Sequence, residues 1–101
     1  MTNQAITVVV AKDLEDLIPT FMANRNKELA TLSVALGASD MEQLRQLGHR
    51  MKGVGNSYGF EQISILGKQI EDRAKIKDLS GLQELITEYT DYLARVSIVY
   101  E

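Results

Sequence analysis

The chain has no cysteine, no tryptophan, one proline and one histidine among its 101 residues. Without cysteine there can be neither disulfides nor thiolate metal sites, and a lone histidine argues against any transition-metal site. One proline and seven glycines are typical of helices rather than of a turn-rich β fold. A net charge of −3 lacks the basic excess of a nucleic-acid binder. No apolar run approaches the roughly 18 residues of a membrane span.

The length is enough for one domain with one modest core. We expect a single domain over residues 1–101, with an arm at 1–11 and a helical bundle at about 12–97. The N-terminus lacks the basic region and apolar stretch of a signal peptide, so we expect a cytoplasmic protein. The starting methionine and short ends favour a free-standing chain, and the lack of a second large apolar face favours a monomer.

Apolar residues recur at three- and four-residue steps along most of the chain, which predicts helices. We predict a short helix near 12–18, longer ones near 19–36, 40–57 and 60–77, and a final one reaching Val96. Pro19 falls in a first turn, and serines begin two capping boxes, at residues 39–42 and 80–83. Amphipathic helices joined by short loops pack as an antiparallel four-helix bundle. The predicted fold is therefore all-α, with an additional short N-terminal helix.

Two β-branched segments lie outside the helical pattern, at residues 6–10 and 96–100. The first is either a strand fragment or an arm laid on the bundle, and the sequence leaves both open. The second either frays or pairs with the first.

His49 lies on the predicted helix of residues 40–57. At about 100° per residue, the buried face of this helix is centred about 150° away from His49, which therefore faces solvent. That buried face comprises Met41, Leu44, Leu47, Gly48, Met51, Gly55 and Tyr58. The exposed side of the helix is shared by Arg45, Lys52, Gly53 and Asn56.

The surroundings of this histidine suit a phosphoryl group. Arg45, Arg50 and Lys52 are close in sequence, and no acid occurs between residues 43 and 60. Such a positive field attracts a phosphoryl dianion, and Lys52 can offer its ammonium group to phosphate oxygens. We expect Arg45 and Asn56 to support the phosphate as well. Arg50 is expected to steer the phosphoryl group by its charge rather than to contact it.

Glycine within a helix costs about 1 kcal/mol relative to alanine, so Gly53 needs a reason. An open surface at that step would let another protein bring an acyl phosphate in line with the imidazole. No Gly-rich phosphate loop or acidic cluster lies near His49 in the sequence. We therefore expect no ATP binding and no autonomous kinase activity.

The run His49-x-x-Lys52-Gly53, with Gly59 ten residues after the histidine and Ile63 four further on, resembles the signature of the histidine phosphotransfer (Hpt) domain family. The likeness extends over most of residues 14–93. It implies that His49 is phosphorylated on Nε2, that Lys52 assists the phosphate, and that Gly53 clears space beside the ring. Gly59 would close the helix.

The resemblance also implies a place in signalling. The family relays phosphoryl groups between aspartates of receiver domains in His–Asp phosphorelays and usually has no kinase activity. Its expected partners are response-regulator receiver domains and a hybrid sensor kinase. No cofactor of its own is expected, since Mg²⁺ would be carried by the partner receiver. Gly48 departs from the family, which often has alanine there.

Two other functions remain open at this stage. In the dimerisation and phosphoacceptor region of a sensor kinase, an acid usually follows the histidine and a proline comes five residues later. Arg50 and Val54 occupy those positions here. The other alternative is a helical interaction module that binds receiver or kinase domains without phosphotransfer.

Overall fold

A computed structural model describes residues 4–101. Its four long helices form a bundle, and a pair of short strands joins the two ends of the chain. In chain order the elements are β1 (Ile6–Val10), a 3₁₀ helix (Lys12–Leu17), α1 (Ile18–Gly37), α2 (Met41–Gly55), a 3₁₀ turn (Asn56–Tyr58), α3 (Glu61–Lys75), α4 (Leu79–Arg95) and β2 (Val96–Tyr100).

One hydrophobic core holds the bundle together, and every helix contributes to it. This confirms the predicted four-helix bundle and its apolar stripes. The most deeply buried side chains include Ile18 and Leu32 of α1, Leu44 and Met51 of α2, Ile63, Leu66 and Ile70 of α3, and Leu82 and Tyr89 of α4. None of the described helices is long and apolar enough to span a bilayer.

The predicted short N-terminal helix has 3₁₀ geometry and runs directly into α1, where Pro19 occupies the first turn as expected. Proline is tolerated there because the first N–H groups of a helix have no intrahelical acceptor.

The serine caps predicted for two helices are wrong. Asp40 caps α2, and its carboxylate accepts a hydrogen bond from the Gln43 amide at 3.1 Å. Ser39 instead occupies the turn before it, with a φ of 52°. Asp78 caps α4 in the same way through the Gly81 amide at 3.0 Å. An aspartate directly before each helix outcompetes the serine because its charged oxygen also favours the positive end of the helix dipole.

The terminal segments form a parallel two-stranded sheet. The register runs from Ile6 opposite Val96 to Val10 opposite Tyr100. This confirms the strand alternative for residues 6–10 and the pairing alternative for residues 96–100. The final helix consequently ends at Arg95, slightly earlier than the bundle boundary predicted at about 97. Val10 is buried and attaches the sheet to the core.

Helices α2 and α3 pack at the closest approach in the bundle because glycines line their contact. A Cβ added to Gly48 would lie 2.6 Å from the Glu71 amide nitrogen and 2.7 Å from the Gly67 carbonyl oxygen. One added to Gly55, also on the buried face of α2, would lie 2.6 Å from the Ser64 nitrogen. The two backbones therefore meet without intervening side chains. This close packing allows a side chain of α3 to reach His49 on the exposed side of α2.

Candidate functional site

His49 lies in the middle of α2 and points away from the core. Its side chain is 62% exposed, which confirms the outward orientation predicted from the helical wheel. Leu47, Gly48 and Met51 on the same helix are buried, so the hydrophobic contacts of α2 fix the direction of the ring. A ring held this way is accessible to another protein.

Glu71 of α3 lies beside the histidine and was missed by the sequence analysis. Its Oε2 atom is 3.0 Å from Nδ1 of His49, although its side chain is only 7% exposed. The signal was present, because Glu71 falls four residues after Gly67 and three before Ala74, on the apolar face of α3. A carboxylate on a core-facing position requires charged or hydrogen-bonding partners.

Lys52 is the second partner of this carboxylate. Its Nζ atom lies 3.2 Å from Oε1 of Glu71, and Nζ of Lys75 lies 3.9 Å from Oε2. Burial favours the neutral acid, but the hydrogen bonds from Lys52 and His49 outweigh it and hold the pKa of Glu71 below its ordinary value. Glu71 is thus an ionised carboxylate that gathers the histidine and two lysines around it.

This contact favours one tautomer of the neutral ring. An ionised carboxylate can only accept hydrogen bonds, so Nδ1 of His49 carries the proton that it donates to Glu71. In the neutral ring, Nε2 then holds a free lone pair. In many proteins a carboxylate bound to one ring nitrogen of a histidine fixes the tautomer and leaves the second ring nitrogen free to react.

Arg45 and Asn56 are placed differently from Lys52. Arg45 pairs with Glu42 one turn earlier, its Nε lying 3.0 Å from Oε1, so its charge is already compensated. Asn56 begins the 3₁₀ turn after α2, where its backbone N–H donates to Ser64 Oγ at 2.8 Å. It lines one groove together with Lys52, between α2 and α3. A role in phosphate support stays a prediction for both residues.

The two glycines singled out by the sequence differ in structure. No atom lies within 4 Å of a Cβ added to Gly53, so the surface beside the histidine is open at that step. Gly59 has a φ of 89° and donates its N–H to the Asn56 carbonyl at 3.2 Å. This left-handed conformation favours glycine and reverses the chain into α3, as expected.

Residues 4–101 contain no group of three or more histidine, cysteine, aspartate or glutamate side chains arranged to hold a metal ion.

Comparison with known proteins identifies one family. The family model described as Hpt domain matches residues 13–98, nearly the whole chain. Searches of curated proteins and of solved structures found no match.

Proposed function

The chain belongs to the Hpt domain family, and we propose that it carries a phosphoryl group on Nε2 of His49 between aspartates of receiver domains. Members of this family take part in histidine phosphotransfer in phosphorelay signalling and interact with receiver domains and kinases. The observation that carries the proposal is the exposed ring of His49, whose Nδ1 is bound to Glu71.

The step is an in-line displacement at phosphorus. The lone pair of Nε2 forms the N–P bond while the P–O bond to the receiver aspartate breaks, and the aspartate leaves as a carboxylate. No proton has to move, because Nδ1 already carries the proton and keeps it. Phosphoryl transfer requires mainly positioning and charge neutralisation, and a helix-borne imidazole provides the first.

Glu71 stabilises the product of this step. Forming the N–P bond on a ring that retains its Nδ1 proton makes the ring cationic, and the ionised carboxylate lies 3.0 Å away from it. A preorganised charge of opposite sign lowers the energy of a developing cation. The same contact operates in reverse when the ring returns the phosphoryl group to another aspartate.

Lys52 neutralises the transferred group. Its ammonium group has three donors on a flexible stem and is 41% exposed, so it can reach a phosphate on the ring while staying near Glu71. Arg45 and Asn56 support the phosphate less directly, and Gly53 leaves the approach to the ring open. In this proposal the partner receiver carries the Mg²⁺ ion. A hybrid sensor kinase can also donate the phosphoryl group. The protein works in the cytoplasm as a monomer.

The test is transfer of a labelled phosphoryl group from a receiver domain. Receivers from a panel are phosphorylated on aspartate with a labelled small-molecule donor and mixed with the protein or with His49→Gln. We expect an acid-labile, alkali-stable label on the wild type and none on the variant. The alternative, an interaction module without chemistry, predicts that both proteins bind a receiver and that neither is labelled.

A further inference from the structure

Most lysines and arginines in residues 4–101 have a carboxylate within 4.0 Å. These are Arg25, Arg45, Lys52, Lys68, Arg73, Lys75 and Arg95. Within the described part of the chain, Lys12, Lys27, Arg50 and Lys77 have none. The charges of these four side chains are therefore available to an external partner.

Two of these four cations line the same groove. Lys27 of α1 and Arg50 of α2 face a groove of about 410 Å³ between their helices, together with the amides of Asn24 and Gln43. Lys27 and Arg50 are exposed. The groove therefore presents positive charge and amide hydrogen-bond donors to solvent.

The carboxylate in this groove is already satisfied. Glu28 accepts a hydrogen bond from Tyr89 Oη at 3.0 Å, and Arg25 Nε lies 3.2 Å from the same oxygen. Three cations, Arg25, Lys27 and Arg50, thus line the groove against the single charge of Glu28. The excess of positive charge is complementary to an acidic surface.

The opposite side of the histidine has a smaller excess of positive charge, because two carboxylates compensate its three lysines. There, Lys52 and Lys75 surround Glu71, and Lys68 pairs with Asp72 at 3.0 Å. Electrostatic attraction for an acidic partner is consequently weaker on the α3 side of the ring than on the α1 side.

We infer that the partner receiver domain places acidic side chains in the groove between α1 and α2, against Lys27 and Arg50. The inference rests on the proposed function and specifies where the partner sits. Arg50 follows His49 directly, and the open surface of Gly53 lies between them around the helix. A receiver that reaches the ring across Gly53 therefore covers this groove.

Charge reversal tests the groove separately from the chemistry. Lys27→Glu and Arg50→Glu are compared with Lys77→Glu, a matched control that also reverses a cation without a carboxylate partner, in the α3–α4 connection. The probe is the receiver domain that exchanges label fastest with the wild type. Binding is measured by titration, transfer by rapid quench, and intrinsic reactivity of His49 by phosphorylation with phosphoramidate, which needs no partner.

We expect each groove variant to weaken receiver binding and slow transfer about tenfold. Phosphoramidate labelling should be unchanged in Lys27→Glu, which lies on another helix. In Arg50→Glu, whose charge contributes to the field around His49, transfer from the receiver should fall more than phosphoramidate labelling does. Lys77→Glu should stay within about twofold of the wild type, because Lys77 does not line the groove and salt weakens the interactions of exposed charges. Reversing the acidic receiver residue that faces Arg50 should restore binding to Arg50→Glu.

Two results would overturn this inference alone. One is that the groove variants bind the receiver like the wild type. The other is an equal loss of binding in Lys77→Glu, which would indicate attraction by the overall charge of the protein. A wild type that exchanges label with no receiver in the panel would overturn the proposed function, and the inference with it.

Discussion

Oε2 of Glu71 lies 3.0 Å from Nδ1 of His49, across a separation of 22 residues in the sequence. The contact exists because Gly48 and Gly67 let α2 and α3 approach until their backbones nearly touch. A buried carboxylate thereby reaches a ring on the outside of the bundle. It selects which nitrogen carries the proton and which is left to react.

Replacing Glu71 by glutamine should slow phosphotransfer about tenfold or more, which is the usual cost of losing a partner that orients a functional imidazole. The variant loses the charge that stabilises the phosphorylated ring, and its amide can also face Nδ1 as a donor. Transfer rates and the tautomer populations of His49, from ¹⁵N chemical shifts, measure both effects. Asp72→Asn is the matched control, since it removes the next carboxylate on α3, which contacts Lys68 instead. Equal effects in the two variants would contradict the role of Glu71.

Glu71 also makes stability depend on pH. Its pKa is lowered in the folded state by Lys52 and His49, despite burial, from an ordinary value of 4.5. A carboxyl whose folded pKa is lowered contributes stability above its unfolded pKa and loses it as the pH falls through the folded pKa. Urea unfolding should thus show the wild type losing stability relative to Glu71→Gln as the pH drops below 4.5. Parallel pH profiles of the two proteins would be inconsistent with an ionised, partnered Glu71.

Substitutions at Gly53 should affect the stability of the protein and the access of a receiver to His49 in different ways. Because a Cβ there meets no atom within 4 Å, Gly53→Ala should raise the free energy of unfolding by about 1 kcal/mol. Gly53→Leu should be stable as well, yet slow transfer from a receiver while leaving labelling by phosphoramidate intact. Denaturant melts and the two labelling assays report these quantities. Equal receiver transfer by the alanine and leucine variants would show that bulk at this step does not matter.

Alanine at Gly48 or Gly67 should have the opposite effect on stability. A Cβ at Gly67 would lie 2.5 Å from both the Lys52 nitrogen and the Met51 Cβ, so α2 and α3 would have to separate. Overpacking of this kind costs about 1–3 kcal/mol. Urea unfolding measures the loss, with Gly53→Ala as the control on the open face. An unchanged free energy of unfolding in Gly48→Ala and Gly67→Ala would contradict the requirement for glycine at this helix contact.

The sequence was sufficient for the features that depend on local periodicity. The apolar spacing of α2 predicts which residues are buried, and it therefore also predicts that His49 is exposed. The open surface at Gly53 follows from a similar local argument, whereas the closing role of Gly59 was implied by the family resemblance. These features involve one helix at a time, so no knowledge of the tertiary packing was needed.

Features that depend on contacts between distant elements could not be predicted in the same way. The one acid of α2, Glu42, lies two turns before His49 and pairs with Arg45, whereas the carboxylate that contacts the ring, Glu71, comes from another helix. The caps of α2 and α4 likewise depend on turn geometry, which places Asp40 and Asp78, rather than the neighbouring serines, at the N-cap positions. For residues 6–10, the choice between strand and arm depended on β2, which lies at the other end of the chain.

Identifying the phosphorylated nitrogen is the most direct measurement of the central claim. The protein is labelled with ¹⁵N and phosphorylated by a receiver domain, and long-range ¹H–¹⁵N correlations of the His49 ring are recorded. Phosphorus coupled to Nε2, with the proton retained on Nδ1 and facing Glu71, is the predicted result. Phosphorus on Nδ1, or a ring that remains unmodified while a receiver is bound, would contradict the account.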